Sequence, residues 1–218
     1  MIDPENPPKL PGATQAELET FLMFSIAVAG HNAANTAAGI DKFINSLPAP
    51  EFEPARPLAR LARWQATECF RLPCDATGWD GGWSLETRIA MLAELVKQAG
   101  LGCHSQRAAS FLDLMEKVGA GLDIATCTVE QLEDVRGIGK KTSRFFVMYT
   151  RPGKHRYAIL DVHILDWLRS QGYQAPKHTP KATSTYNHLE QVFIREAEAR
   201  GVTPLELDAA IWKARRKS

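Results

Sequence analysis

Apolar residues recur every three or four positions along most of this 218-residue chain, which is the spacing of a buried stripe on an α-helix. The pattern is clearest at residues 85–96 and 108–118, where leucine, isoleucine, valine and phenylalanine share one helical face. No run of alternating β-branched residues competes with this interpretation. The sequence therefore predicts an all-α fold.

Helix starts are marked by capping residues and by prolines at first helical positions. These signals are the capping-box pairs Thr14/Glu17 and Thr128/Gln131, the N-caps Asn32 and Ser84, and the prolines Pro57 and Pro204. Gly30 is expected to end the first helix. A turn-rich stretch at residues 73–82 separates two groups of helices.

Residues 128–150 predict two short helices joined by a glycine hairpin. The first helix stops at residues 135–139, and the second begins at Lys140 and ends near Tyr149. Gly137 and Gly139 are expected to take positive φ and to leave no side chain in the way of an approaching strand. The N–H groups that open the second helix suit a phosphate.

Positive charge is concentrated at this hairpin. The chain as a whole carries a net charge of only +1, so an argument for nucleic-acid binding has to be local. Residues 135–160 contain no Asp or Glu and seven cations: Arg136, Lys140, Lys141, Arg144, Arg151, Lys154 and Arg156. They favour a phosphate contact, although a plain helix connection with a solvated charged face is the alternative.

The hairpin resembles that of the helix-hairpin-helix superfamily of base-excision DNA glycosylases. The matching residues are Gly137-Ile138-Gly139-Lys140-Lys141-Thr142 and, downstream, Leu160-Asp161-Val162-His163. The resemblance is strong over residues 128–170 and carries fewer motifs elsewhere. It implies a DNA glycosylase built from two helical lobes with a cleft between them.

By this resemblance, Lys141 is the amine nucleophile that displaces the base and forms a Schiff base with the deoxyribose. Asp161 stabilises the developing oxocarbenium ion and assists proton transfer. His163 contacts a phosphate, as do the hairpin residues Arg136, Gly137, Gly139 and Lys140. The alternatives are a solvated lysine at Lys141 and a simple helix cap at Asp161.

Two features depart from the family pattern. Arg136 stands where the family usually has a proline before the first hairpin glycine. The iron–sulfur relatives have four cysteines after the catalytic aspartate, whereas all four cysteines here precede it: Cys69, Cys74, Cys103 and Cys127. We therefore expect no iron–sulfur cluster, no other cofactor and no metal held by side chains. A monovalent cation at the hairpin carbonyls is compatible with the resemblance.

A lysine nucleophile without a cluster points to the 8-oxoguanine branch of the family. Residues 24–30, 157–165 and 208–213 look like the compact archaeal and bacterial 8-oxoguanine glycosylases. The chain is thus predicted to be a bifunctional DNA glycosylase and abasic-site lyase that flips and excises an oxidised purine. A different modified base is the alternative substrate.

Four residues are candidates for the base pocket. By the resemblance, the Gly30 carbonyl accepts the N7 proton that distinguishes 8-oxoguanine from guanine. His31 and Asn32 follow it and either contact the base edge or fill the gap left by the flipped nucleotide, unless they are a surface histidine and an N-cap. Trp212 either stacks on the base or packs in the core. The loop at residues 79–83 is left without a role.

The predicted architecture is a single glycosylase unit over residues 1–218. One lobe is expected to combine residues 13–47 with residues 184–218, and the other to span residues 57–170, with the helix-hairpin-helix motif at 128–150. The expected partner is double-stranded DNA containing a damaged base, bound by a monomer. The sequence shows neither a signal-peptide pattern nor an apolar run long enough to span a membrane, and we therefore expect a cytoplasmic, nucleoid-associated enzyme.

Two other function classes remain open. A non-catalytic helix-hairpin-helix module that recruits another factor to DNA has the same hairpin and no reactive lysine. A metal-dependent nuclease is a weaker alternative, because no compact carboxylate cluster accompanies the hairpin.

Overall fold

The computed structural model describes residues 2–3, 6–53, 55–69, 83–153 and 156–215, and these residues form ten α-helices and no β-strand. The prediction of an all-α fold is confirmed. The helices are α1 (Gln15–Ala27), α2 (Ala33–Ser46), α3 (Pro57–Cys69), α4 (Leu85–Gln98), α5 (His104–Gly119), α6 (Val129–Glu133), α7 (Lys140–Thr150), α8 (Val162–Ser170), α9 (Thr183–Ala199) and α10 (Pro204–Arg215). The whole turn-rich stretch, residues 73–82, lies outside the described residues, and so do residues 79–82 of the loop at 79–83.

The predicted caps begin the helices as expected. Both capping boxes form, at α1 and at α6. The Asn32 side chain accepts a hydrogen bond from the Asn35 N–H at 3.0 Å, and the Ser84 hydroxyl accepts one from the Thr87 N–H at 3.2 Å. Each bond satisfies an N–H group that the helix itself leaves without a partner.

The chain divides into two compact units, Met1–Ile138 and Gly139–Ser218. The boundary falls inside the hairpin, just before α7. The two lobes expected from the sequence, one of which pairs the N-terminal helices with the C-terminal ones, stay a prediction.

The first unit is built around α1, α2, α4 and α5. Phe43 and Phe111 meet in its core with their ring centroids 5.4 Å apart. Arg107, only 5% exposed, donates from Nη2 to the Ala27 carbonyl at the end of α1. A buried guanidinium thus satisfies a carbonyl at a helix C-terminus and complements the helix dipole.

The second unit packs α8, α9 and α10 around one apolar cluster. Its members include Leu160, Leu165, Tyr186, Phe193 and Ile211. The Tyr186 hydroxyl donates to the Ala158 carbonyl at 2.8 Å and accepts from the Leu160 N–H at 3.4 Å. These bonds hold the extended segment 157–160 against α9 and therefore fix where α8 begins.

A buried ion pair joins α7 to α9 in this unit. Arg144 Nε lies 3.0 Å from Glu190 Oε1, with side-chain exposures of 5% and 7%. The same Glu190 oxygen accepts the Ala158 N–H at 3.0 Å. One carboxylate therefore ties together α7, the extended segment and α9.

Replacing Glu190 with glutamine is expected to lower the free energy of unfolding by about 3 kcal/mol, because the Arg144 charge would stay buried without its counter-charge. Urea denaturation measures the loss. Asp166→Asn is the matched control, since Asp166 pairs with Arg169 and Arg215 at a half-exposed position and its removal should cost about 1 kcal/mol or less. Equal losses in the two variants would contradict the expectation.

Within the described ranges, no helix combines the length and apolar character needed to cross a membrane. The same part of the chain contains no group of three or more His, Cys, Asp or Glu side chains arranged to hold a metal ion.

Candidate active site

Asp161 lies where the extended segment turns into α8. Its Oδ1 accepts hydrogen bonds from the N–H groups of His163 and Ile164, both at 2.9 Å, and the residue is 5% exposed. The predicted helix cap is therefore present. The cap fixes the carboxylate rigidly at the N-terminus of α8, where the helix dipole favours negative charge.

Lys141 lies in the first turn of α7, half-buried, behind the N-cap Gly139. No side chain caps this turn. The start of α7 sets the position of Lys141 in the second unit, as the sequence predicted. An uncapped helix N-terminus beside a lysine is a suitable place for a phosphate.

The two hairpin glycines differ in their backbone. Gly137 has φ +82°, as predicted, and a Cβ there would clash with the Ser110 hydroxyl of α5. Gly139 has φ −100° and ψ 179°, so the prediction of positive φ is wrong for this residue. It takes the extended conformation of an N-cap because the chain must turn into α7 there, and this conformation is open to any residue.

Asp208 of α10 is a second acidic residue at this site. It is 2% exposed, and its Oδ1 has no hydrogen-bond partner. Burial and the nearby Asp161 charge raise the pKa of Asp208 to about 8, while the Lys141 charge opposes this shift. Asp161 and Lys141 thus both lie close enough to act on one buried carboxyl group.

Tyr149, two turns after Lys141 on α7, belongs to the same cluster. Burial raises the pKa of its hydroxyl to about 12, and the charges of Asp208 and Asp161 contribute in the same direction. The second unit therefore gathers an amine, two carboxyl groups and a phenol from three helices.

Neither Asp208 nor Tyr149 was singled out from the sequence. A signal was available for Asp208, which stands between Leu207 and Ile211 on the buried stripe of α10. A carboxylate at a core position has to be explained by a partner or by a function.

His163 and Trp212 lie together beside Asp161. Their rings meet edge to face with centroids 4.2 Å apart, and Trp212 is 37% exposed. The tryptophan is therefore not a core residue, and part of its ring is open to a ligand. Stacking on a base by Trp212 and a phosphate contact by His163 stay predictions.

Part of the positive charge predicted at the hairpin is engaged elsewhere. Arg144 is buried against Glu190, Arg151 is 5% exposed, and Arg156 pairs with Glu198. Lys154 lies outside the described residues. Lys141 and the two predicted DNA contacts stay candidates for a phosphate contact: Arg136 is exposed, and Lys140 is half-buried.

Gly30, His31 and Asn32 lie in the first unit, in the turn between α1 and α2. Gly30 is exposed with φ +74°. His31 and Asn32 line a cavity of about 170 Å³ together with Gly102 and Arg107. The Asn32 oxygen is used as the α2 cap, and the part of all three residues in base recognition stays a prediction.

Asp208 makes the stability of the fold depend on pH. The folded chain holds its proton up to a pKa of about 8, and the unfolded chain releases it near 3.8. The contribution of this group is therefore complete below about pH 4 and is lost as pH rises to about 8.

The wild type loses stability as pH rises from 5 to 8, and Asp208→Asn has no such group to titrate. We therefore expect the free energy of unfolding of the variant, relative to that of the wild type, to be higher at pH 8 than at pH 5 by on the order of 3 kcal/mol. Urea denaturation of both proteins at the two pH values measures the difference. A constant difference between the two proteins at both pH values would contradict it.

No protein-family model matches the chain. A curated protein of Thermoplasma volcanium, an 8-oxoguanine DNA glycosylase/AP lyase, is 38% identical over 81 residues. The aligned segment spans 37% of this chain and 37% of that protein.

Solved structures resemble the whole fold. The 8-oxoguanine DNA glycosylase of Thermotoga maritima matches with a TM-score of 0.57 and 20% identity, over 92% of this chain and 80% of that one. The corresponding enzyme of Methanocaldococcus jannaschii matches with a TM-score of 0.58 and 20% identity, over 94% and 80%. Its complex with a 15mer DNA containing 8-oxoguanine matches with a TM-score of 0.56 and 19% identity, over 95% and 84%. The chain therefore has the helical fold of these proteins.

Proposed function

We propose that the protein is a bifunctional DNA glycosylase and abasic-site lyase that excises an oxidised purine, with 8-oxoguanine as its substrate. The observation that carries the proposal is the position of Lys141 and Asp161. They belong to the starts of two helices, and the charges of both shift the pKa of the same buried carboxyl group, that of Asp208. The fold shared with 8-oxoguanine glycosylases and the sequence match to a glycosylase/lyase support it.

In the proposed reaction the neutral amine of Lys141 attacks C1′ of the damaged nucleotide. The bond between C1′ and the base breaks, and the base leaves with the electron pair and takes up a proton. Asp161, fixed by its two N–H bonds, faces the positive charge that develops on the sugar and stabilises it. These bonds hold the carboxylate in place before the substrate binds, so the protein does not have to reorganise when the positive charge develops.

The covalent product then supports the lyase step. Opening of the sugar ring turns the C1′–N bond into a Schiff base, and the protonated imine makes the C2′ hydrogens acidic. Loss of one of them expels the 3′ phosphate by β-elimination. An enzyme that used water in place of Lys141 would not cut the strand by this route.

In the proposed reaction, side chains of the protein carry out every step, and no iron–sulfur cluster takes part. The sequence supports this because no cysteine follows Asp161. A monovalent cation at the hairpin carbonyls would add a phosphate contact without taking part in the reaction.

The proposed substrate is double-stranded DNA with a flipped damaged nucleotide, bound by a monomer in the nucleoid. Three features of the second unit support DNA binding: the uncapped start of α7, the neighbouring Lys140, and the half-exposed ring of Trp212. The M. jannaschii complex contains a DNA with 8-oxoguanine.

A panel of duplexes that each carry one lesion tests the proposal, with borohydride added to trap the imine. We expect a covalent adduct and strand cleavage with 8-oxoguanine and neither with undamaged guanine. Release of a different base in its place would overturn the substrate and keep the mechanism. If even a preformed abasic site gave no adduct, the enzyme proposal would fail in favour of a non-catalytic DNA-binding module.

A further inference from the structure

Asp208 has no part in the reaction described above, yet it lies among the reacting groups. It is 98% buried in the first turns of α10, and its Oδ1 accepts no hydrogen bond. Buried polar oxygens in folded proteins almost always have a donor. An oxygen without one, within the electrostatic influence of Lys141, is therefore available for a proton.

The proposed attack creates a need for such an oxygen. An ammonium group has no lone pair, so Lys141 has to lose a proton before it can form a bond to C1′. Asp161 is poorly placed to take this proton at Oδ1, because that atom already accepts two N–H bonds from α8. The Oδ1 atom of Asp208 carries no such bond.

We propose that Asp208 is the proton acceptor that converts the Lys141 ammonium into the attacking amine, an inference that rests on the proposed glycosylase function. One N–H bond of Lys141 breaks and one O–H bond forms on the Asp208 carboxylate. The electron pair of the broken bond stays on nitrogen. The charges of both groups are neutralised, and no further reactant is consumed.

The environment of Asp208 suits this task. Its pKa, raised to about 8 by burial and by Asp161, makes its carboxylate a far stronger base than that of an exposed aspartate. The titratable groups of α7 and α8 that interact electrostatically with Asp208 are Lys141, Tyr149 and Asp161. On α9, the buried Glu190 is paired with Arg144.

The test is the single-turnover rate of imine formation, trapped with borohydride, on duplexes carrying an abasic site or 8-oxoguanine at pH values from about 5.5 to 9.5. For the wild type we expect the rate to rise with pH and to level off above about pH 8. Asp208→Asn should be about 10²-fold slower at pH 7.5, and the deficit should shrink toward high pH, where bulk hydroxide deprotonates the lysine.

Asp166→Asn is the matched control, because it makes the same change at a half-exposed position of α8 in the same unit. It should keep the wild-type rate and profile. A merely structural role for Asp208 predicts a rate lowered by the same factor at every pH, and that result would overturn the proposal, as would an unchanged rate.

The wild type alone gives a second measurement if Asp208→Asn does not fold. A wild-type profile without an inflection between pH 7 and pH 9 would overturn the role of Asp208 while leaving the glycosylase function standing. Absence of any wild-type adduct on either duplex would instead overturn the proposed function together with this inference.

Discussion

Lys141→Gln will abolish the borohydride-trapped adduct and lower base excision by at least about 10³-fold, which corresponds to about 4 kcal/mol of lost transition-state stabilisation. Glutamine keeps the length and polarity of the side chain, but its amide nitrogen cannot form a Schiff base. Because Lys141 lies half-buried in the first turn of α7 and makes no bond on which the helix depends, the variant should fold normally. Gel analysis of trapped and cleaved DNA measures both effects.

Lys97→Gln is the control for this change. Lys97 lies at the end of α4 in the first unit, with its side chain 60% exposed beside Glu94. The same substitution there should leave trapping and excision at the wild-type level. Retention of the adduct in Lys141→Gln would show that another amine is the nucleophile, and the proposed role of Lys141 would have to be abandoned.

Asp161→Asn is expected to lower the excision rate by about 10²- to 10³-fold while changing the melting temperature little. The asparagine oxygen can still accept the N–H bonds of His163 and Ile164, because asparagine is as good an N-cap as aspartate. What the variant loses is the negative charge that faces the developing oxocarbenium ion. Single-turnover kinetics and thermal unfolding separate the two properties.

Asp161→Ala serves as the comparison, since it removes the cap together with the charge. It should lose about 1 kcal/mol of stability in addition to the activity. If Asp161→Asn excised bases as fast as the wild type, Asp161 would be a structural cap alone. Nearly normal activity in Asp161→Asn combined with reduced stability in Asp161→Ala would support that interpretation.

The secondary structure could be predicted because its signals are local. Thr14, Asn32, Ser84, Thr128 and Asp161 each cap a helix within three residues of themselves, so the sequence near each position contains the whole interaction. The apolar stripes follow the same logic, since one turn of helix brings neighbours together regardless of the rest of the chain.

Features that depend on distant contacts were wrong or absent in the prediction. Arg144 was counted among the cations available to DNA, yet it is buried against Glu190, 46 residues away. The positive φ predicted for Gly139 was wrong for a local reason, because this residue is the N-cap of α7 and only Gly137 lies in the left-handed region. The error at Arg144 arose from assigning a residue by its type when its neighbours in space decide its state.

The sequence by itself determined an all-α chain with a glycine hairpin and placed Lys141 and Asp161 at the first turns of consecutive helices. It could do so because caps, stripes and hairpins are built from residues within a few positions of one another. Only the tertiary structure decided that Asp208 is buried with a free oxygen, that its pKa is about 8, and that Tyr149 shares its field. Burial and charge depend on which helices pack together, and α10 reaches α7 only in the folded unit.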